Sequence, residues 1–203
     1  DANVAALGEM WQGAAKGCRD VIMVTLGTGV GGGIIVDGKV VAGFDGAGGE
    51  IGHITVNAHE KEQCNCGQCG CLEQYASATG IVRVAQRTLA ATDEQTVLRK
   101  FTKLSAKNVL DAFKEGDKVA CDVMAQVGEM LGGTLAMFAC VTDPEAIVIG
   151  GGVSKAGQPL IDCIQKYYEK YAFTACKKTP IILATLGNDA GIYGSARMVI
   201  KEV

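Results

Sequence analysis

The residues from Gly48 to Glu73, GGEIGHITVNAHEKEQCNCGQCGCLE, place a histidine, four closely spaced cysteines and two flanking glutamates within twenty-six positions. Zinc takes four nitrogen or sulfur ligands in a tetrahedron. A thiolate pair one residue apart, with a third thiolate a few residues on, can wrap one ion from a short loop. Cys64, Cys66 and Cys71 supply that spacing, with His53 expected to arrive from an upstream strand; Cys69 and His59 are further candidates. The competing reading is a disulfide loop or reactive thiols. Gly67 and Gly70, which allow sharp turns, and the nearby histidine favour metal. The segment therefore reads as a zinc site that shares residues with a substrate pocket.

Composition bears on compartment and partners. The nine cysteines are an odd number, five of them scattered through apolar or helical contexts, and no signal peptide or long apolar run precedes them. A reducing cytoplasm is the expected location. A net charge of −3 and the lack of a Lys/Arg cluster argue against nucleic acid or an anionic membrane as partner of this segment. A small anionic ligand would need backbone amides. At 203 residues the chain can bury a full core. It starts at Asp1 and not at Met, so an N-terminal part of the natural protein is expected to be missing.

The chain reads as mixed α and β. Val4, Leu7, Trp11 and Ala14 recur at helical spacing, predicting a helix over 2–16 with Asp1 as its cap and Gly17 as its stop. VIMVTL at 21–26 predicts a buried strand. A second strand is expected at about 32–36, and Asp37-Gly38 as a type I′ hairpin into 39–42. Residues 72–91 and 94–116 look helical. The stripe Val123, Val127, Met130, Leu131, Leu135 and Phe138 predicts a long buried helix ending near Thr142, its Gly132-Gly133 pair marking close packing or a bend. A strand at 146–150, a helix at 157–171, a strand at 180–185 and a helix at 189–201 then predict a parallel sheet with crossover helices.

LGTGVGGGI, residues 26–34, joins two strands with five glycines in seven residues, more than a turn needs. Glycine-exposed amides can form a nest for phosphate oxygens, with the Thr28 hydroxyl as an added donor. No lysine follows in the Walker pattern, and a strand, not a helix, comes next, so neither the P-loop nor the Rossmann pattern applies. IVIGGGVS, ending at Ser154, lies where open α/β sheets place their ligand crevice. LGNDAGIYGSA, residues 186–196, opens the last helix. Three glycine loops in one mixed sheet point to a nucleotide site.

Taken in order, DANVAALGE, LGTGVGGG, GGEIGH, CNCGQCGCLE, VIGGGVS and LGNDAGIYGSA resemble the ROK family of sugar kinases and repressors over the whole chain. The resemblance implies an α/β actin-like ATPase fold of the ribonuclease H-like type, a mixed sheet with flanking helices and an inserted zinc loop at about 53–71. Residues 1–203 would be the C-terminal large lobe. The family's N-terminal phosphate loop and small lobe are not in this sequence, so this chain alone is expected to be a poor or inactive kinase. By the same resemblance His53, Cys64, Cys66 and Cys71 hold a structural zinc. Glu50, the other nitrogen of His53, and Glu73 bond sugar hydroxyls, and Asp1 is the catalytic base.

Gly27, Thr28, Gly29, Gly31, Gly32, Gly150 and Gly151 are the expected nucleotide contacts, for ATP with Mg2+. The substrate implied is a hexose, glucose first, and the assembly a homodimer. Aspartate is also a preferred helix cap, and in Asp1 the two roles can coexist. With four protein ligands the zinc would have no open position, so it would shape the pocket and take no part in the chemistry. The alternative is the sugar-sensing domain of a ROK transcriptional repressor; the intact Asp1 and LGTGVGGG favour the kinase.

Overall fold

The computed structural model describes residues 2–200. Its five-stranded sheet contains β1 (Val21–Leu26), β2 (Val30–Val36), β3 (Lys39–Val40), β4 (Ala146–Gly150) and β5 (Ile181–Leu183), in the order β3-β2-β1-β4-β5. The first three strands form an antiparallel meander; β1–β4 and β4–β5 are parallel. This is the mixed sheet expected. β2 begins at Val30, not near 32, and the β2–β3 turn has positive φ at both Asp37 and Gly38, as a type I′ hairpin needs.

Alternation along the strands explains the two layers. Val21 and Met23 of β1, with Val148 of β4, face helix α1 (Ala2–Gln12), whereas Ile22, Val24, Leu26, Ile147 and Ile149 face a larger cluster beneath. Because both faces are covered, β4 reads as an uninterrupted apolar run with every residue buried. Helix α7 (Ala190–Val199) lies beside α1 on the first face. The second face carries α2 (Glu73–Ala76), α3 (Ala78–Ala91), α4 (Ala106–Lys114), α5 (Lys118–Thr142) and α6 (Gln158–Tyr171).

By length and composition α5 could cross a membrane, yet its Val123, Val127, Leu131 and Leu135 are buried in the core of this domain. It ends on Asp143 in the left-handed conformation, followed by Pro144. Its glycines mark close packing: a Cβ at Gly132 would lie 2.7 Å from the Tyr168 nitrogen and 2.8 Å from the Ile164 oxygen of α6.

Several boundaries differ from the sequence reading. Helix α1 stops at Gln12, where the buried Glu9 carboxylate accepts from the Ala14 amide at 2.8 Å. The helix expected over 72–91 is broken at Ser77, whose extended backbone and hydroxyl cap α3 by accepting from Gly80 N. The stretch 94–116 is not one helix: a 3-10 turn at Val97–Lys100 precedes α4, which Ser105 and Asn108 start with a reciprocal capping box.

Candidate metal centre and ligand groove

The glycine-rich segment divides into a turn and a strand. Gly27, Thr28 and Gly29 form the turn at the carboxyl end of β1, closed by Gly27 N donating to Gly29 O at 2.9 Å. Gly31 and Gly32 belong to β2, opposite Thr25 and Val24. A Cβ at Gly32 would overlap Gly49 O and lie 2.5 Å from Ile51 Cγ1, so that glycine lets the GGEIGH segment lie flat on the sheet. The surplus of glycine thus has a packing cause at Gly32 and leaves the exposed amides to the turn. Ala2 of α1 lies over Gly31 and Gly33. Asp1 falls outside the described residues.

His53 ends a short 3-10 turn, Ile51–His53, and not a strand. That turn follows the exposed Glu50. Ligand atoms of His53, Cys64, Cys66 and Cys71 all lie within 4.8 Å of one another. Cys66 Sγ and Cys71 Sγ are 3.5 Å apart, and Cys64 Sγ is 3.8 Å from His53 Nδ1. A tetrahedral ion with metal–sulfur bonds of about 2.3 Å holds neighbouring ligand atoms roughly 3.5–3.8 Å apart, and these two separations match that. The sulfur–sulfur separation does not fit a disulfide, whose sulfurs sit about 2.05 Å apart. Cys69 and His59 lie outside the group; Cys69 Sγ faces Lys61 O at 3.8 Å, and the His59 amide donates to Asn57 Oδ1. Burial pushes the Cys71 thiol up to about 12, reinforced by the neighbouring Cys66. A divalent cation is the group that would remove its proton.

The loop is tied to α3 by polar groups that the sequence reading did not single out. The Glu60 carboxylate accepts from Arg87 Nη1 at 2.6 Å and Nη2 at 3.1 Å, from Tyr75 Oη at 2.8 Å, and from the amides of Lys61 and Glu62. The Arg87 guanidinium holds Glu60 far below the usual carboxylate range. Gln74, also buried, accepts from the amides of Gly70 and Cys71 and donates to Glu62 O. An RxxxR spacing on one helix face, Arg83 to Arg87, was the available signal for this anchor.

Glu73 begins α2 and stands between the two features. Its Oε2 accepts from Val30 N at 3.0 Å, and its Oε1 lies 3.8 Å from Cys64 Sγ. Thr25, Gly27, Gly29, Gly31, Glu73 and Gly151 line a hollow of about 350 Å³. Thr25 and Gly151 continue it into a hollow of about 510 Å³ bounded by Gly150, Ser154, Thr185 and Asn188. Gly152 and Lys155 lead on to an apolar cleft of about 400 Å³ walled by Ala106, Leu110, Val153 and Ala156. The hollows form one groove along the carboxyl ends of β1, β4 and β5, where parallel sheets place ligands. The α4 wall of the apolar cleft was missed in the sequence, where that stretch carries no motif.

Known proteins resemble this chain in sequence and fold. The chain is 45% identical over 206 aligned residues to a glucokinase of Halalkalibacterium halodurans, covering all of this chain and 62% of that protein. It is 30% identical to a xylose repressor of Caldicellulosiruptor bescii, again over its full length and 51% of the relative. Among solved structures it superposes on a ROK family glucokinase from Streptomyces griseus, in complex with glucose and AMPPNP, with a TM-score of 0.86 and 37% identity. That match covers 97% of this chain and 65% of the other. The chain thus spans less than two thirds of the length of these relatives. The ROK family model matches residues 1–202, and the chain belongs to the ROK family.

Proposed function

We propose that this chain is the large lobe of an ATP-dependent hexose kinase that converts glucose to glucose 6-phosphate. The observation that carries the reading is Glu73, which joins the glycine turn at the end of β1 to the four-ligand cluster. A phosphate site and a hydroxyl-binding site are thereby adjacent. The likeness to proteins named as glucokinases, one of them bound to glucose and AMPPNP, supports the same substrates.

The ATP phosphates, with Mg2+, lie over Gly27, Thr28 and Gly29, with Gly31, Gly32, Gly150 and Gly151 as floor and wall. The base occupies the apolar cleft of Ala106, Leu110, Val153 and Ala156. The hexose hydroxyls are read by Glu50, by Nε2 of His53 and by Glu73, groups that accept from or donate to a dense hydroxyl array. Asp1, supported by the DANVAALGE likeness alone, takes the proton of the attacking hydroxyl and orients its oxygen, which is most of what phosphoryl transfer asks of a side chain. His53, Cys64, Cys66 and Cys71 would hold a zinc that would supply no chemistry of its own; so held, the His53 imidazole would present its second nitrogen to the sugar.

All nine cysteines are free, which suits a reducing cytoplasm. Met137, Val141 and Phe173 are exposed apolar side chains that a homodimer would cover, and light scattering measures the pairing. In a coupled ADP assay, a polypeptide that adds the remaining third of the relatives' length phosphorylates glucose with the highest kcat/KM of a hexose panel, and the 203-residue chain alone stays at blank. Sugar-dependent DNA binding by the longer polypeptide, without ADP release, would instead establish the repressor reading, which the likeness to the xylose repressor keeps in view.

A further inference from the structure

The glycine turn is gripped from outside at three successive points by the segment that leaves the cysteine cluster. Val30 N donates to Glu73 Oε2 at 3.0 Å, Ala78 N donates to Gly27 O at 2.8 Å, and Thr79 Oγ1 donates to Thr28 O at 2.9 Å. The fit at Gly29 is close enough that a Cβ there would overlap the Glu73 carboxylate. A turn that needed only to reverse the chain between β1 and β2 would not require this second set of bonds from residues more than forty positions away.

The grip is also rigidly joined to the cluster. Only Leu72, fully buried, separates Cys71 from Glu73, and Leu72 N donates to Ile54 O at 2.9 Å beside His53. On the far side, the buried Ser77 donates from its hydroxyl to Glu73 O at 2.7 Å and caps α3. Cys71 and Glu73 thus lie two positions apart in a segment hydrogen-bonded on both sides.

We propose that Glu73 and Thr79 are positioning residues for the Gly27–Val30 turn, so that metal loading of the cysteine cluster sets the geometry of the phosphate-binding turn. Resting on the reading of that turn and that cluster given above, it adds a path between them. The metal then acts on both halves of the groove: on the hexose side through His53, and on the nucleotide side through Glu73, Ala78 and Thr79.

Amide hydrogen exchange on the 203-residue chain, read by NMR at Val30, tests the path without turnover. In the zinc-loaded chain Thr79→Val should speed Val30 exchange about fivefold, the effect of one ordinary hydrogen bond, and Glu73→Ala about tenfold or more. Thr79→Ser, which keeps the hydroxyl, should restore the wild-type rate. Removing zinc with a chelator, with metal loss confirmed by atomic absorption, should speed Val30 exchange while leaving the Gly38 amide unchanged. Gly38 N is bonded to Arg19 O at the opposite end of β1 and serves as the internal control. Val30 exchange within twofold of wild type in both Thr79→Val and Glu73→Ala refutes the grip. Zinc loss without a response at Val30 refutes the coupling and leaves the zinc assignment standing; a chain that takes up no zinc refutes that assignment and the coupling together.

Discussion

Glu9 offers a sharp test of how this fold is held. It sits on α1, is completely buried, and spans the space between α1 and the loop after β5. Its Oε2 accepts from Ala14 N at 2.8 Å, and its Oε1 accepts from Leu186 N at 2.8 Å. Thr185 N reaches both oxygens, at 3.0 and 3.2 Å, and Thr185 Oγ1 lies 3.3 Å from Oε2. Every partner is a donor, so only a group with two acceptor atoms satisfies the site. Glu9→Gln keeps the shape but turns one acceptor into an NH2. Whichever way the amide flips, either Ala14 N or Leu186 N loses its partner and the new NH2 faces donors. At about 1–3 kcal/mol for each buried unsatisfied group, we expect a loss of roughly 3–5 kcal/mol. For a chain of this size that lowers Tm by roughly 6–20 °C. Urea unfolding at fixed pH measures the free energy, and calorimetry the Tm. Because Thr185 borders the groove, amide exchange over 184–188 should rise as well. A loss below about 1 kcal/mol would refute the argument from donor count.

Further predictions follow from the same geometry. Gly132→Ala should destabilise by about 1–3 kcal/mol through overpacking against α6, measured by thermal melts. Gly133→Ala, whose Cβ would meet nothing closer than Tyr171 at 3.6 Å, should be neutral or stabilising by up to about 1 kcal/mol. Glu60 is held below the ordinary carboxylate range in the folded chain, so its contribution is complete above the unfolded value of about 4.3 and is lost as pH falls below it. Wild type should therefore lose stability between neutral pH and about pH 3 more steeply than Glu60→Gln, in urea titrations across that range. Because Cys71 holds its proton in the metal-free chain, zinc uptake should release protons and weaken as pH falls. Calorimetric titration in two buffers of different ionisation enthalpy measures that release.

Much of this architecture was legible in the sequence because it rests on local periodicity. β1 and β4 are runs of β-branched residues with period-two partitioning between two layers, and α5 carries a sustained apolar stripe. The cysteine spacing likewise singled out Cys64, Cys66 and Cys71, which a short loop brings together beside His53. What was lost depended on contacts distant in sequence. The end of α1 at Gln12 is made by Glu9, whose partners lie at Thr185 and Leu186, and no local pattern announces them. The break at Ser77 reflects the pull of Gly27 and Thr28 on Ala78 and Thr79. The glycine run invited a single explanation, whereas Gly27 and Gly29 make a turn and Gly32 makes room for Gly49 and Ile51. His53 was expected on a strand, but the GGEIGH segment is too closely pressed on β2 to extend and coils into a 3-10 turn.

Anomalous diffraction at the zinc edge from crystals of the zinc-loaded chain tests the four-residue cluster most directly. The predicted result is one zinc peak per chain bounded by His53 Nδ1 and the sulfurs of Cys64, Cys66 and Cys71, with Glu73 still bonded to Val30 N. A peak coordinated by Cys69 or His59, a disulfide between any two of these cysteines, or no peak would contradict it.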